Sequence, residues 1–206
     1  MAAETVEHQP ARSFFVELAE ILLLAVGLYI VITFAIQTVH VIGFSMVPTL
    51  NDNDYVLATK VDLRFTTPTR GDIVILKDPF DNSQDFVKRV IGLPGERLLI
   101  RNGKIFINGR QLDEPYLPQN EPWVSQANWP TDTAEPNGAV IPAGRYFVMG
   151  DNRNHSSDSR VFGTIAFSQI ESRAWIRLLP LNKIGPVWQR PTFLPAIAMA
   201  DRRKSA

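Results

Sequence analysis

The apolar positions of this chain are concentrated in one uninterrupted run near its N-terminus. Ile21–Val39 carries no charged side chain, and as a helix it would span about 28 Å, the thickness of a bilayer's hydrocarbon core. Apolar residues would face every side of that helix, which favours a membrane span over a core helix with a single apolar stripe. The preceding segment carries Glu4 and Glu7 against Arg12, so it lacks the positive region of a cleaved signal peptide. The pattern predicts one uncleaved transmembrane helix.

The rest of the chain alternates short runs of β-branched and aromatic residues with clusters of Asn, Asp, Gly and Pro. Such runs, bounded by turn residues, are typical of β-strands in small sheets and barrels. Leu98–Ile107 is the clearest hairpin, because Asn102-Gly103 suits the left-handed torsions of a tight turn. Further strands are predicted over 38–41, 55–61, 72–77, 85–92, 145–149, 162–167 and 173–179.

These patterns divide the chain into four parts. We assign residues 1–13 to an N-terminal tail, 14–37 to the transmembrane anchor, 38–180 to a β domain and 181–206 to a C-terminal tail. Within the β domain, residues 113–144 are rich in Pro, Asn and Trp and have weak periodicity, which predicts a small irregular insertion. The predicted fold class is mainly β: one N-terminal transmembrane helix followed by a mostly antiparallel β domain.

Composition narrows the chemistry. The 206 residues include no cysteine, which excludes a disulfide framework, a thiol nucleophile and a Cys-ligated metal centre. His8, His40 and His155 lack the spacing of metal ligands, so no metal is predicted. Basic and acidic side chains number 21 each, and the mean hydropathy is −0.03. This charge balance argues against general nucleic-acid binding, and the hydropathy averages an apolar anchor with a more polar body.

Three segments carry candidate chemistry, and the first is residues 43–49, Gly-Phe-Ser-Met-Val-Pro-Thr. Pro48 disfavours a helical conformation at Val47, which leaves Ser45 on an extended or turning backbone. Ser45 lies nine residues after Ile36, so we expect it within about 30 Å of the membrane surface. A lone serine in such a place is ordinarily a loop residue. The segment indicates catalysis only in combination with the other two segments.

The second segment is the predicted strand Asp85–Gly92. Because side chains alternate along a strand, Lys88 shares a face with Phe86 and Val90, while Arg89 points to the other face. Such a lysine usually extends its amine into water. If it is buried instead, away from carboxylates, its pKa falls from about 10.4 towards the working pH. A neutral lysine of that kind can act as a general base.

The third segment is residues 150–163, which are dense in small and polar side chains and have glycine at each end. Runs of this composition form turns in which side chains hydrogen-bond to backbone. The same groups could also support a serine against a buried lysine, with Asp158 and Arg160 as a paired support.

Together these segments resemble the type I signal peptidases (leader peptidases), which are membrane-bound serine–lysine endopeptidases. The resemblance extends from the anchor to about residue 180, and four motifs in the family's order and at compatible spacing make it specific. The motifs are Ser-Met-x-Pro-Thr at 45–49, Arg-Gly-Asp-Ile-Val at 70–74, Lys-Arg-x-Ile-Gly-x-Pro-Gly at 88–95 and Gly-Asp-Asn-Arg-x-x-Ser-x-Asp-Ser-Arg at 150–160.

The resemblance implies a role for each matched residue. Ser45 is the nucleophile that forms an acyl-enzyme, and neutral Lys88 is the base that takes its proton and later activates the deacylating water. Ser156 corresponds to the serine that orients the lysine amine. Asp158 and Arg160 correspond to the pair that supports this serine and lysine.

The resemblance also describes the loop around the nucleophile. Met46 and Pro48 shape this loop, and the Ser45 backbone N–H belongs to the oxyanion hole. Some family members contribute a second donor from a serine two residues before the nucleophile, but this chain has Gly43 there, as other members do. The sequence therefore leaves the second oxyanion donor unassigned.

A histidine triad is the alternative within the same segments. Ser45, His155 and Asp158 could be drawn as nucleophile, base and orienting acid. The motif at 150–160 places His155 at a variable position of the family, so the serine–lysine pair is the preferred hypothesis.

The resemblance finally implies substrate and location. The expected partners are exported preproteins that carry signal peptides, bound extended with small residues one and three positions before the cut, and the lipid bilayer. No cofactor and no nucleic acid are expected, and no oligomeric state is assigned. The expected location is a bacterial-type plasma membrane, single-pass, with the catalytic domain on the extracytoplasmic face. That orientation comes from the resemblance, because Arg12 and Lys60 alone flank the span.

Two other functions remain alternatives. One is a serine–lysine protease with a dedicated substrate, such as a pilus or conjugation precursor. The other is a non-catalytic, membrane-anchored β-module that binds partners.

Overall fold

The computed structural model describes most of the chain in two compact units, the N-terminal helix and the body that begins at Ile36. The predicted N-terminal tail, the last part of the C-terminal tail and part of the predicted insertion lie outside the described residues. The described residues are 14–81, 84–118, 128–131 and 135–194.

Helix α1 (Phe14–Ala35) confirms the predicted N-terminal apolar helix. Its 22 residues have no buried side chain, and the helix is long and apolar enough to cross a membrane. Thr33 Oγ1 donates a hydrogen bond to the Tyr29 carbonyl within the helix, at 2.7 Å, which suits a polar group in hydrocarbon. The helix ends two residues before the expected boundary at 37, because the alternating sequence Ile36–His40 pairs as a strand instead.

The body is built from short strands, and every strand pair in its described residues is antiparallel. A mainly β, antiparallel fold is thereby confirmed. The strands are β1 (Ile36–His40), β2 (Tyr55–Thr59), β3 (Ile73–Lys77), β4 (Asp85–Gly92), β5 (Arg97–Arg101), β6 (Lys104–Ile107), β7 (Arg110–Asp113), β8 (Ala139–Val140), β9 (Arg145–Met149), β10 (Ile165–Ala166), β11 (Ile170–Leu179), β12 (Gly185–Pro186) and β13 (Thr192–Phe193).

The strands form two sheets. The larger sheet has the order β1-β2-β11-β3-β4-β9-β10, with β12 added to β11, and the smaller has the order β13-β7-β6-β5-β8. β1 is therefore an edge strand, whereas β4 lies in the interior between β3 and β9. The predicted hairpin forms between β5 and β6, and its turn residues Asn102 and Gly103 both have positive φ.

Two segments differ from their predicted structure. The strand expected over 162–167 is reduced to β10, because the Asp158 side chain caps a short helix, α2 (Ser159–Phe162), that ends at the start of this run. The segment assigned to a C-terminal tail contains β12, which pairs with β11, and β13, which pairs with β7. Both strands are two residues long, and so short a run carries no recognisable periodicity.

A compact aliphatic core lies beneath the loop that joins β1 to β2. Met46 from this loop is 1% exposed, and burying such a side chain contributes about 1.5–3 kcal/mol. The loop is therefore held by its own apolar residues as well as by its ends. The cluster consists of Val41, Met46, Leu50, Val56, Ala58, Ile73, Ile75, Ala174 and Val187.

Candidate active site

The loop between β1 and β2 presents Ser45 at the surface of the body. Hydrogen bonds from Val41 N–H to the Asp54 carbonyl and from Asn53 N–H to the Val41 carbonyl, 2.8 and 2.9 Å long, close the base of the loop. Met46 is buried immediately after the serine, whereas Ser45 itself is half-buried. The neighbouring Pro48 is exposed. Alternation of buried and accessible side chains thus leaves the Ser45 hydroxyl free to face a partner.

That partner is Lys88, which lies 43 residues away in the sequence. Lys88 Nζ lies 2.9 Å from Ser45 Oγ. The lysine comes from β4, opposite Val74 of β3, and only 3% of it is exposed. The Phe86 ring, on the same face of β4, has its centroid 4.8 Å from the amine. An interior strand thereby holds the lysine stem rigidly beneath the serine loop.

Burial changes the acid–base behaviour of Lys88. Desolvation of the ammonium lowers the pKa of Lys88 from 10.5 to about 8, while the negative charges of Asp158, Asp151 and Asp78 oppose this shift. Desolvation is the larger effect because these carboxylates are themselves engaged; Asp151 and Asp158, for example, pair with arginines. With this pKa about half of Lys88 is neutral at pH 8, and the neutral amine is the form that can accept a proton.

Asp158 and Arg160 form the expected ion pair. Arg160 Nε and Nη2 donate to the two Asp158 carboxylate oxygens at 2.8 and 2.7 Å, and the aspartate is fully buried. The same carboxylate accepts hydrogen bonds from the Gly150 and Arg160 backbone N–H groups. Asp158 therefore fixes the path of the loop that carries Ser156.

Ser156 differs from the expectation drawn from the resemblance. Its hydroxyl is buried and makes no hydrogen bond to Lys88 or to any other group in the described part of the chain. The reason is its direction, since Oγ lies over Gly150, 2.3 Å from where a Cβ at that glycine would stand. The Ser45 carbonyl lies 2.4 Å from the same point. Only glycine fits at 150, a requirement that the sequence analysis did not single out.

A groove of about 630 Å³ runs over the Ser45–Lys88 pair. One wall is the edge strand β1 with the residues that follow it, and the other is the beginning of β4. Ile42 and Phe44 are exposed beside the serine and give the groove apolar surface there, whereas Gln84 and Asp85 are exposed polar residues of its lining. It is lined by residues 37–45 and 84–88 with His155 and Ser157.

The known proteins that this chain resembles identify its family. The family model described as signal peptidase, peptidase S26, matches residues 15–179. The chain belongs to this family. The resemblance inferred from the four motifs is thereby confirmed, and the protein is a serine endopeptidase.

Individual relatives of this peptidase are named as signal peptidases. A signal peptidase I from Leptolyngbya laminosa is 34% identical over 183 residues, which cover 82% of this chain and 83% of the relative. A signal peptidase IB from Staphylococcus aureus (strain COL) is 35% identical over 176 residues, covering 82% of this chain and 88% of the relative. The crystal structure of a signal peptidase I from Enterococcus faecalis V583 matches at 36% identity with a TM-score of 0.44, covering 52% of this chain and 97% of that one.

His155 does not form the alternative triad in this peptidase. Its ring is exposed, and Nδ1 lies 3.3 Å from Asn152 Oδ1. The Ser45 hydroxyl contacts Lys88 instead, and the Asp158 carboxylate is occupied by Arg160 and backbone N–H groups. The geometry favours the serine–lysine pair.

A buried ion pair next to the site was not predicted from the sequence. Arg89, fully buried on the opposite face of β4 from Lys88, donates to both Asp151 carboxylate oxygens at 2.8 and 2.6 Å. It also donates to the Gly71 and Gln189 carbonyls. The ion pair connects β4 to the loop after β9. It therefore fixes the strand that carries Lys88 relative to the loop that carries Ser156. Arg89 and Asp151 both lie in the recognised motifs, which was the available signal for this pair. Alternation along the strand could not show that Arg89 is buried.

Proposed function

We propose that this protein removes N-terminal signal peptides from exported preproteins, with Ser45 as the nucleophile and Lys88 as the general base. The observation that carries the proposal is the 2.9 Å contact between Lys88 Nζ and Ser45 Oγ in a site that lowers the pKa of Lys88 by burial. A serine is a weak nucleophile unless an adjacent base takes its proton. A non-catalytic β-module would have no need for a buried lysine aimed at an accessible serine.

The reaction follows from the positions of these two groups. The lone pair of neutral Lys88 accepts the Ser45 hydroxyl proton as Oγ attacks the scissile carbonyl. The resulting ammonium then protonates the leaving amine, which is the new N-terminus of the mature protein, and an acyl-enzyme ester remains on Ser45. Lys88, neutral again, takes a proton from water as the resulting hydroxide attacks the ester carbonyl. The bond between that carbonyl carbon and Ser45 Oγ then breaks, Lys88 returns the proton to Ser45 Oγ, and the signal peptide leaves with a new C-terminal carboxyl group.

The Ser45 backbone N–H is the oxyanion donor in this proposal. It donates no hydrogen bond to any residue in the described part of the chain, so it is available to a developing negative charge. The Gly43 N–H is not available, since it donates to Asp52 Oδ1 at 2.7 Å. A preorganised donor of this kind contributes about 3–4 kcal/mol to transition-state stabilisation.

The edge of β1 is the proposed binding site for the signal peptide. An edge strand offers unpaired backbone groups to an extended peptide, and alternate side chains of the peptide then face the groove. The groove is lined by residues of β1 and of the start of β4, with Val39, Phe86 and Val87 as its apolar side chains from these strands. Small residues one and three positions before the cut would fit such a shallow surface, and larger ones would clash.

The proposed function is tested by cleavage of a preprotein in detergent. We expect the purified enzyme to cut a preprotein with alanine one and three positions before the junction. Replacing the alanine just before the cut by phenylalanine should reduce kcat/KM at least about 100-fold, because a well-packed pocket cannot absorb the added ring. Replacement by glycine, the matched control, should leave cleavage within a few-fold. Equal cleavage of the phenylalanine substrate would contradict the proposal, and so would a failure to cut any preprotein, which would favour the partner-binding module.

We further propose that the protein is single-pass in a bacterial-type plasma membrane, with the β body on the extracytoplasmic face. The support is the apolar helix α1 before the body and the family to which the chain belongs. Because the chain contains no cysteine, one introduced thiol reports its own side of the membrane. Ser168 lies at an exposed position of the body. We expect a membrane-impermeant maleimide to label Ser168→Cys in cells whose outer layers have been removed and whose plasma membrane is intact. Ser13→Cys should be labelled only after lysis, and the reverse pattern would overturn the orientation.

A further inference from the structure

We infer that Asn152 is a positioning residue for the oxyanion hole, because it holds the peptide unit whose N–H faces the scissile carbonyl. Asn152 Nδ2 donates to the Phe44 carbonyl at 3.1 Å. The Asn152 backbone N–H donates to the Ser45 carbonyl at 2.9 Å. One residue of the loop after β9 therefore binds two consecutive carbonyls of the nucleophile loop, 108 residues earlier in the chain. The inference rests on the proposed roles of Ser45 and Lys88.

The Phe44 carbonyl belongs to the same peptide unit as the Ser45 N–H. A trans peptide is planar, with its C=O and N–H pointing in opposite directions. Two donors hold this carbonyl, since Val47 N–H also donates to it at 3.3 Å. When the carbonyl is held, the peptide plane cannot rotate, and the N–H keeps its direction. A hydrogen bond to the carbonyl also polarises the peptide and strengthens the N–H as a donor.

The direction of that N–H follows from where Asn152 lies. Asn152 lines a cavity of about 340 Å³ together with Val47 and Pro48, whereas Phe44 and Ser45 line the groove over Lys88. The Phe44 carbonyl points towards Asn152, so the Ser45 N–H at the opposite edge of the same peptide points away from Asn152. The N–H makes no hydrogen bond to a described residue, which leaves it for the oxyanion.

His155 helps to orient the amide of Asn152. Its Nδ1 lies 3.3 Å from Asn152 Oδ1, and its backbone N–H donates to the Asn152 carbonyl at 3.1 Å. With the amide oxygen placed beside His155, the amide nitrogen faces Phe44. Asn152 thus contacts neither the Ser45 hydroxyl nor Lys88, and any effect on the reaction passes through the peptide backbone.

The test is the kinetics of Asn152→Ala and Asn152→Asp on a preprotein. Asn152→Ala keeps the backbone contact to Ser45 and removes only the side-chain donor, so kcat should fall about tenfold, the worth of one neutral hydrogen bond. Asn152→Asp also places a carboxylate oxygen against the Phe44 carbonyl, so kcat should fall about 100-fold, approaching loss of the oxyanion donor. KM should stay within about twofold for both variants, because ground-state binding does not use the oxyanion hole.

A peptide aldehyde separates positioning from general structural damage. The aldehyde forms a tetrahedral adduct with Ser45, so its inhibition constant should weaken by the same factor as kcat/KM falls. The pH at which kcat/KM is half-maximal should not move, since Lys88 is untouched. Asn182→Asp makes the same chemical change at an exposed position far along the chain and should leave all these values unchanged.

Two results would overturn the inference: unchanged kcat and aldehyde affinity in Asn152→Asp, or a loss confined to KM or to the melting temperature. Ser45→Ala, measured in parallel, distinguishes a failure of the inference about Asn152 from a failure of the proposed function. An inactive Ser45→Ala beside a fully active Asn152→Asp refutes the role of Asn152 alone. A fully active Ser45→Ala refutes the proposed function itself.

Discussion

Ser45→Ala is expected to abolish cleavage, with kcat falling by about 10⁴- to 10⁶-fold. The reason is that Ser45 Oγ is the atom that attacks the scissile carbonyl in the proposed reaction, and the chain has no cysteine that could replace it. Lys88 would keep its position on β4 but would have no hydroxyl to deprotonate. Single-turnover cleavage of a preprotein, with the purified enzyme in excess, measures the loss directly.

The fold should survive this substitution, because Ser45 is half-buried on a loop that is anchored by Met46 and Leu50. We expect an unchanged melting temperature and an unchanged affinity for a signal peptide. Ser168→Ala, at an exposed position outside the groove, is the matched serine control and should cut at the normal rate. Retention of full activity by Ser45→Ala would exclude this serine as the nucleophile.

Lys88→Met is expected to remove activity to a similar extent, because methionine has nearly the shape of lysine but no basic nitrogen. In the unmodified enzyme, burial lowers the pKa of Lys88 to about 8, and only the neutral amine can accept the Ser45 proton. Below pH 8 the amine is protonated and kcat/KM should fall tenfold for each pH unit; above pH 8 it should level off. This fall is measured from the pH profile of kcat/KM. The residual activity of Lys88→Met should not show it.

The stability of the folded chain should also depend on pH through Lys88. The pKa of Lys88 is lower in the folded chain than the ordinary 10.5, so between about pH 8 and 10.5 the unfolded state binds more protons than the folded state. The free energy of unfolding should therefore rise with pH across this window, by up to about 3 kcal/mol. Lys88→Met should lack this rise and be no less stable than the parent at pH 7. A marked destabilisation of Lys88→Met would contradict the role of Lys88 as a buried base. An active Lys88→Met enzyme whose kcat/KM still falls below pH 8 would contradict it too.

The sequence predicted the elements of this fold better than their ends. Strands rich in β-branched and aromatic residues, such as β4 and β9, and the Asn-Gly turn of the β5–β6 hairpin were predicted correctly, because residue composition and turn torsions are encoded in neighbouring residues. The two-residue strands β12 and β13 were assigned to a tail. Their pairing depends on the strands that receive them, which lie far away in the sequence.

The candidate site divides in the same way. Ser45, Lys88, Asp158 and Arg160 were all identified from motifs, and the structure brings each of them to the site. Gly150 was not singled out, because its requirement comes from the approach of Ser156 and the Ser45 carbonyl, which only the folded chain brings together.

By itself, the sequence determined an apolar segment of membrane-spanning length, a β body and the residue types of a serine–lysine peptidase. Tertiary structure decided the burial and the contacts of these groups. The packing of β4 between β3 and β9 takes Lys88 out of water and brings it to Ser45 across 43 residues, and the same packing buries Arg89 on Asp151 and turns Ser156 onto Gly150. Periodicity is a property of neighbours along the chain. Burial, and with it the pKa of a lysine, depends on what the rest of the chain places around it.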